Sequence, residues 1–208
     1  MTVQNPVPVF AALILSSAPA QAEPVLRLGD QAARLEMQAR LEQFNANLLH
    51  HHSATAVLQA WCDSHGGGPA PQIVARRIRG VEKPADANVR AILQVDATEI
   101  VRYRRVELVC GDQVLSEADN WYRAGRLTPE MNRLLDETNT PFGVVASPLG
   151  FTRRNLSATL LFNPATAQVP VAVPLQVLRQ SAVLATPDGA PLSLVVETYT
   201  REILRPRD

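Results

Sequence analysis

Up to the triple glycine Gly66-Gly67-Gly68 the apolar residues recur at helical spacing, and beyond it nearly every apolar run is short, alternating or β-branched. Leu35, Met37, Leu41, Phe44, Leu48 and Leu49, with Arg34, Glu36, Arg40 and Glu42 between them, predict an amphipathic helix from Gln31 to about Leu49. His50-His51-His52 interrupts it. Ser53 then stands where an N-cap would open a second helix through Val57, Leu58 and Trp61, which the glycines stop. The two helices make a helical hairpin.

After the glycines, Ile73 to Ile78, Ala91 to Val95, Ile100 to Cys110 and Val114 to Tyr122 read as antiparallel strands separated by polar or proline-containing connections. Thr128 as cap and Pro129 at the first helical position start a short helix, and Thr140-Pro141-Phe142-Gly143 makes a turn. Strands near Leu156 to Phe162 and Val177 to Leu184 follow, and Thr186-Pro187-Asp188-Gly189 turns the chain into a last strand, Leu192 to Leu204. The stretch Pro164 to Pro174 reads as a loop beside the sheet. Helices first and consecutive strands afterwards mean an α+β architecture rather than an alternating α/β one.

With 208 residues, 46% apolar, the chain can bury one substantial core, and one domain over 23–208 is expected. The 20 basic side chains cancel the 20 acidic ones, so no overall field draws the protein to nucleic acid or an anionic membrane surface. Residues 1–22 carry no charged side chain, and the apolar run Val9 to Leu15 ends in the small residues Ala20-Gln21-Ala22. That pattern predicts a secretory leader cleaved after Ala22 and a periplasmic or secreted protein, although Met1 to Asn5 lack the usual basic residue. The run is too short to span a bilayer, which needs roughly 20 residues. An oxidising compartment would allow Cys62 and Cys110 to bridge a loop of about 48 residues, worth about 4 kcal/mol in the chain-entropy account; in a reducing one both would be small buried apolar groups.

Walker, dinucleotide-binding and Gly-x-Ser-x-Gly patterns are missing from the sequence. Adjacent residues on a helix diverge, so His50-His51-His52 reads as a solvated helix end and no metal site is expected. In the strand 101–110, alternation puts Tyr103, Arg105, Glu107 and Val109 on one face and Arg102, Arg104, Val106, Leu108 and Cys110 on the core face. Arg105, opposite the apolar row of a central strand, needs a carboxylate from the protein or from a ligand. Glu197 interrupts the apolar run Leu192 to Thr200. It is either an edge charge, a salt-bridge partner of Arg105, or a sheltered acid.

Leu49 with Ser53-Ala54-Thr55 and Leu58, then Ile78-Arg79, Arg105 to Cys110, Thr140-Pro141-Phe142-Gly143, and Gly189-Ala190-Pro191 through Glu197, occur in an order and at separations that resemble chorismate lyase. The chain also looks like the wider fold family that includes ligand-sensing domains of certain bacterial transcription regulators. The match covers about residues 48 to 205. It implies a six-stranded antiparallel sheet packed by helices around a small enclosed ligand site.

On that resemblance Arg105 holds a ring carboxylate and Glu197 faces the departing hydroxyl as general acid, with no cofactor. Main-chain groups at Ala54, Phe142 and Gly143 complete the pocket. A second family arginine, associated with the enolpyruvyl carboxylate, falls on Asn120, which can hydrogen-bond but brings no charge. The function implied is an exported protein with a pocket for a small aromatic or cyclic carboxylate, either a carbon–oxygen lyase eliminating pyruvate from chorismate or a related ether, or a binding module of the same fold without chemistry. The partner expected is that small carboxylate. No nucleic acid and no integral membrane association after leader cleavage are expected, and the protein is expected to be a monomer.

Overall fold

The computed structural model of the protein describes residues 31–65, 71–167 and 173–206. The expected leader at 1–22, the glycine stop at 66–68 and part of the loop 164–174 lie outside those residues.

Two helices open the fold, α1 (Gln31–His50) and α2 (Ala54–Asp63). Ser53 caps α2 by accepting from the Ala56 amide at 3.3 Å, which satisfies one of the donors a helix start leaves open. Then come β1 (Val74–Arg77), α3 (Ala87–Leu93), β2 (Val101–Cys110), β3 (Gln113–Arg123), α4 (Pro129–Glu137), α5 (Phe142–Val145), β4 (Thr152–Leu160), β5 (Gln176–Ala185) and β6 (Pro191–Thr200). The six strands form one sheet in the order β1-β2-β3-β6-β5-β4, antiparallel throughout. The α+β reading with a helical pair beside a six-stranded antiparallel sheet is what the molecule has.

Four local readings change. Ala91 to Val95 is not a strand: it lies mostly in α3, which Asp86 caps by accepting from the Val89 amide at 2.8 Å, and Gln94 ends the helix in the left-handed region at φ 54°. Val89 and Leu93 are buried four residues apart against Trp121, Val183 and Leu194, so helical spacing and a cap outweigh the β propensity of the run. The segment after Pro141 is a short helix and not a plain turn. The strand expected from Leu156 begins at Thr152, and the last strand ends at Thr200 in a 3-10 turn over Arg201–Leu204.

The sheet has two unlike faces. Leu41, Phe44, Leu48, Val57, Leu58 and Trp61 of the opening helices pack on Val106, Leu108, Ala118, Leu178 and Tyr199 of the sheet. Fully buried leucines such as Leu41, Leu48 and Leu58 contribute roughly 2 kcal/mol each by transfer from water. Farther along the same face, Tyr122, Leu184 and Leu192 meet Met131, Leu135, Phe142 and Val145 from α4 and α5, and Leu127 just ahead of the α4 cap. The other face carries α3 and a row of ion pairs, Arg76 with Glu107, Arg105 with Glu117, and Lys83 with Asp119. A disulfide joins Cys62 at the end of α2 to Cys110 at the end of β2, with Cα atoms 5.9 Å apart, and so ties the helical layer to the sheet.

Candidate functional site

Between the start of α2, the start of α5 and the middle of the sheet lies a cavity of about 50 Å³. Its walls are Ser53, Ala54 and Thr55 from the α2 cap, Phe142 and Gly143 from α5, Arg104, Val106 and Leu108 of β2, Ala118 and Asn120 of β3, Val195 and Glu197 of β6, Leu184 of β5, and Phe151 and Arg153. The strands β2, β3 and β6 point alternate residues into it. A Cβ on Gly143 would meet the Thr55 hydroxyl at 3.0 Å and the Ser53 hydroxyl at 3.3 Å, so the absence of a side chain there lets α5 come close to the α2 cap.

Two arginines and one carboxylate are buried in this wall. Glu197, 5% exposed, accepts from Arg153 Nη2 at 2.7 Å, and the Arg153 side chain is as deeply enclosed. Arg153 Nε donates to Asn155 Oδ1 at 3.1 Å. Gln180, inside the same layer, donates to Asn45 of α1 at 2.7 Å. Burial opposes the Arg153 charge, but Glu197 outweighs it and the guanidinium stays above its ordinary pKa. Tyr199 is fully buried nearby, and desolvation together with the Glu197 charge pushes its hydroxyl pKa up.

Arg104 is different. It is 3% exposed, and its guanidinium reaches only main-chain oxygens, Thr140 O at 3.2 Å and Thr138 O at 3.4 Å, while its Nε has no partner. Burial, with the like charge of Arg77 adding to it, pulls its pKa down to about 10, which leaves it cationic at neutral pH. Among the described residues no carboxylate forms an ion pair with it. An enclosed guanidinium without a counter-ion is costly unless an anion completes it.

The site residues read from sequence divide accordingly. Glu197, Ala54, Phe142, Gly143 and Asn120 all line the cavity, and Asn120 Oδ1 is taken by the Ser193 hydroxyl. Arg105 does not. It stands opposite Asp119 on β3, whereas Glu197 stands opposite Ala118, and successive residues of one strand face opposite ways. Arg105 therefore lies on the outer face, where Glu117 accepts from it at 2.6 Å and raises its pKa. The strands β2 and β6 are not neighbours either, since β3 separates them. Glu197 is neither an edge charge nor the partner of Arg105; its partner is Arg153. The arginines that sequence reasoning missed are Arg104 and Arg153. Alternation places Arg104 with Val106 and Leu108, a signal present in the sequence, whereas Arg153 precedes the point where a strand is readable.

No protein-family profile matches the chain. The chain is 43% identical over 189 residues, 85% of its own length and 80% of the relative's, to the "Uncharacterized protein y4mC" of Sinorhizobium fredii (strain NBRC 101917 / NGR234). Among solved structures it is similar to PhnF from Mycobacterium smegmatis, at 10% identity over 89% of this chain and 92% of that one with a TM-score of 0.52. It is likewise similar to the effector domain of PhnF alone, at 13% identity over 73% and 90% with a TM-score of 0.51. The ligand-binding domain of a GntR-family transcriptional regulator from Bordetella bronchiseptica matches 64% of this chain and 86% of its own at 20% identity and a TM-score of 0.43. The fold is thus the chorismate lyase-like one that the effector domain of PhnF has.

Proposed function

The chain belongs to the family of the Sinorhizobium fredii protein y4mC, and we propose that it is a small-molecule-binding domain whose internal cavity takes a small aromatic or cyclic carboxylate. The observation that carries this reading is Arg104, a buried cation facing the cavity with main-chain partners only. Arg153 is already neutralised by Glu197, so the wall retains one positive charge in excess. A monoanionic group matches it, and a charge-assisted pair with a guanidinium is among the stronger contacts available to a small ligand. Val106, Leu108, Phe142, Phe151 and Leu184 offer the apolar body of the ligand its surroundings.

A second reading, carbon–oxygen lysis of the chorismate type, has one supporting observation: Glu197 shares the cavity with Arg104. A general acid has to deliver a proton to the leaving oxygen. The Glu197 carboxylate is instead committed to Arg153 at 2.7 Å, which favours binding without chemistry. We further propose that the domain works outside the cytoplasm; the Cys62–Cys110 bridge supports this, because such bridges persist in oxidising compartments.

The deciding experiment measures calorimetric binding and pyruvate release with benzoate, 4-hydroxybenzoate, 3-hydroxybenzoate and chorismate. Binding of a hydroxybenzoate that Arg104→Gln weakens at least tenfold, with no pyruvate formed from chorismate, is the expected result. Pyruvate release that Glu197→Gln abolishes would establish the lyase. No binding by any of the four acids would end both readings. The N-terminal residue of the protein recovered from the cell tests export.

A further inference from the structure

A second cationic place lies at the end of β1. That strand stops at Arg77, while β2 runs on from its partner Val106 to Val101, so the edge of β2 near 101–105 has no strand beside it. The chain after β1 crosses that edge instead, with the Ile78 amide donating to Arg105 O at 2.9 Å. The gap left between them is a cleft of about 190 Å³ with Arg77, Arg79, Arg104 and Arg105 in its lining and Glu82 as its one carboxylate.

The charges of these arginines are unequally answered. Arg105 has Glu117 at 2.6 Å. Arg77 has only a share of Asp136, at 3.9 Å, because Asp136 is held at 2.9 Å by Arg102. Arg79 is exposed and makes no ion pair among the described residues. Arg104 is buried, its Nε is unpartnered, and it is the residue that this cleft shares with the internal cavity. Like charges gathered at a partly desolvated edge repel one another. An anion in the cleft removes that repulsion.

We propose that the cleft at the end of β1 is a separate binding site for a small oxyanion group, a carboxylate or a phosphate, held by Arg77 and Arg79 with Arg104 behind them. Fork-shaped guanidinium donors suit the oxygens of such groups. The site stands at the outer side of Arg104, so an anionic ligand bound there lies next to the internal cavity. The proposal does not depend on the cavity binding anything, since Arg77 and Arg79 belong to the cleft alone and Gly143 to the cavity alone.

The test titrates the full chain with inorganic phosphate, with acetate and, in parallel, with benzoate, while following arginine Nε–Hε resonances. Phosphate or acetate is expected to shift the Arg77, Arg79 and Arg104 signals. The Arg77→Gln/Arg79→Gln variant should bind it at least tenfold more weakly, and Gly143→Val, which narrows the cavity, should bind it as the wild type does. Benzoate in the cavity should show the opposite pattern. Melting temperatures of the unliganded variants establish that each is folded; should the double variant fail to fold, Arg79→Gln, at an exposed position, is measured instead. Absence of any oxyanion-dependent shift, equal affinity in the arginine variant, or loss on Gly143→Val alone would overturn the proposal. Failure of the benzoate arm by itself would count only against the cavity reading.

Discussion

Arg104 and Glu197 show how the same fold treats two buried charges differently. Glu197 is matched by Arg153, so removing its charge should leave a buried cation alone: Glu197→Gln is expected to lower stability by about 3 kcal/mol, measured by urea unfolding. The double change Arg153→Met/Glu197→Leu should recover most of that loss, because an ion pair replaced whole by apolar groups is often neutral or stabilising. Arg104 has no such partner. Arg104→Met is therefore expected to leave the ligand-free protein as stable as the wild type or up to about 2 kcal/mol more stable, while removing the thermal shift given by a bound carboxylate. A variant that loses several kcal/mol in the absence of ligand would mean that the carbonyls of Thr138 and Thr140 suffice as partners. At this scale the sequence carries the site in part. Alternation along 101–110 sets Arg104 on the apolar face and Arg105 on the other, yet only the packed sheet supplies Glu117 to Arg105 and withholds a carboxylate from Arg104. Asn120, Ala54, Phe142 and Gly143 are reached through the resemblance to chorismate lyase, and the α2 cap and the Pro141 turn carry two of the motifs on which that resemblance rests.

Among elements, a cap in the sequence marks where a helix starts but does not by itself settle the reading. Ser53 before α2 and Thr128-Pro129 before α4 announce their helices. Asp86 does the same for α3, but Ala91 to Val95 mimics a strand because Ile92 and Val95 are branched and only Val89 and Leu93 carry the helical spacing. Asp86→Ala is expected to cost about 1 kcal/mol, and more than Ser53→Ala, because the Asp86 bond is shorter and its charge also favours a helix start. Equal or reversed losses in chemical unfolding would contradict that ranking. The start of β4 is hard to read for another reason: Thr152 to Asn155 is polar, and the carboxylate that pairs with its inward-facing Arg153 is Glu197, far along the sequence.

For the whole molecule, the order of helices and strands is legible as α+β, whereas the strand order is not, because it depends on pairings such as β3 with β6 that join residues 116–122 to 193–199. The meeting of Cys62 and Cys110 is of the same kind; both lie at element ends that only the tertiary fold brings within bridging distance. Reduction, or Cys62→Ala/Cys110→Ala, should lower the unfolding free energy by about 4 kcal/mol, with the transition midpoint in denaturant as the measurement. The bridge also changes what a cut does to the chain. Lys83 is the single lysine of the sequence, and it sits inside the loop that Cys62 and Cys110 close. A protease acting on the amino side of lysine would give two polypeptides that run together on a non-reducing gel and separate once thiol is added. The oxidised protein would then persist as a two-chain molecule whose halves stay covalently joined even when denatured.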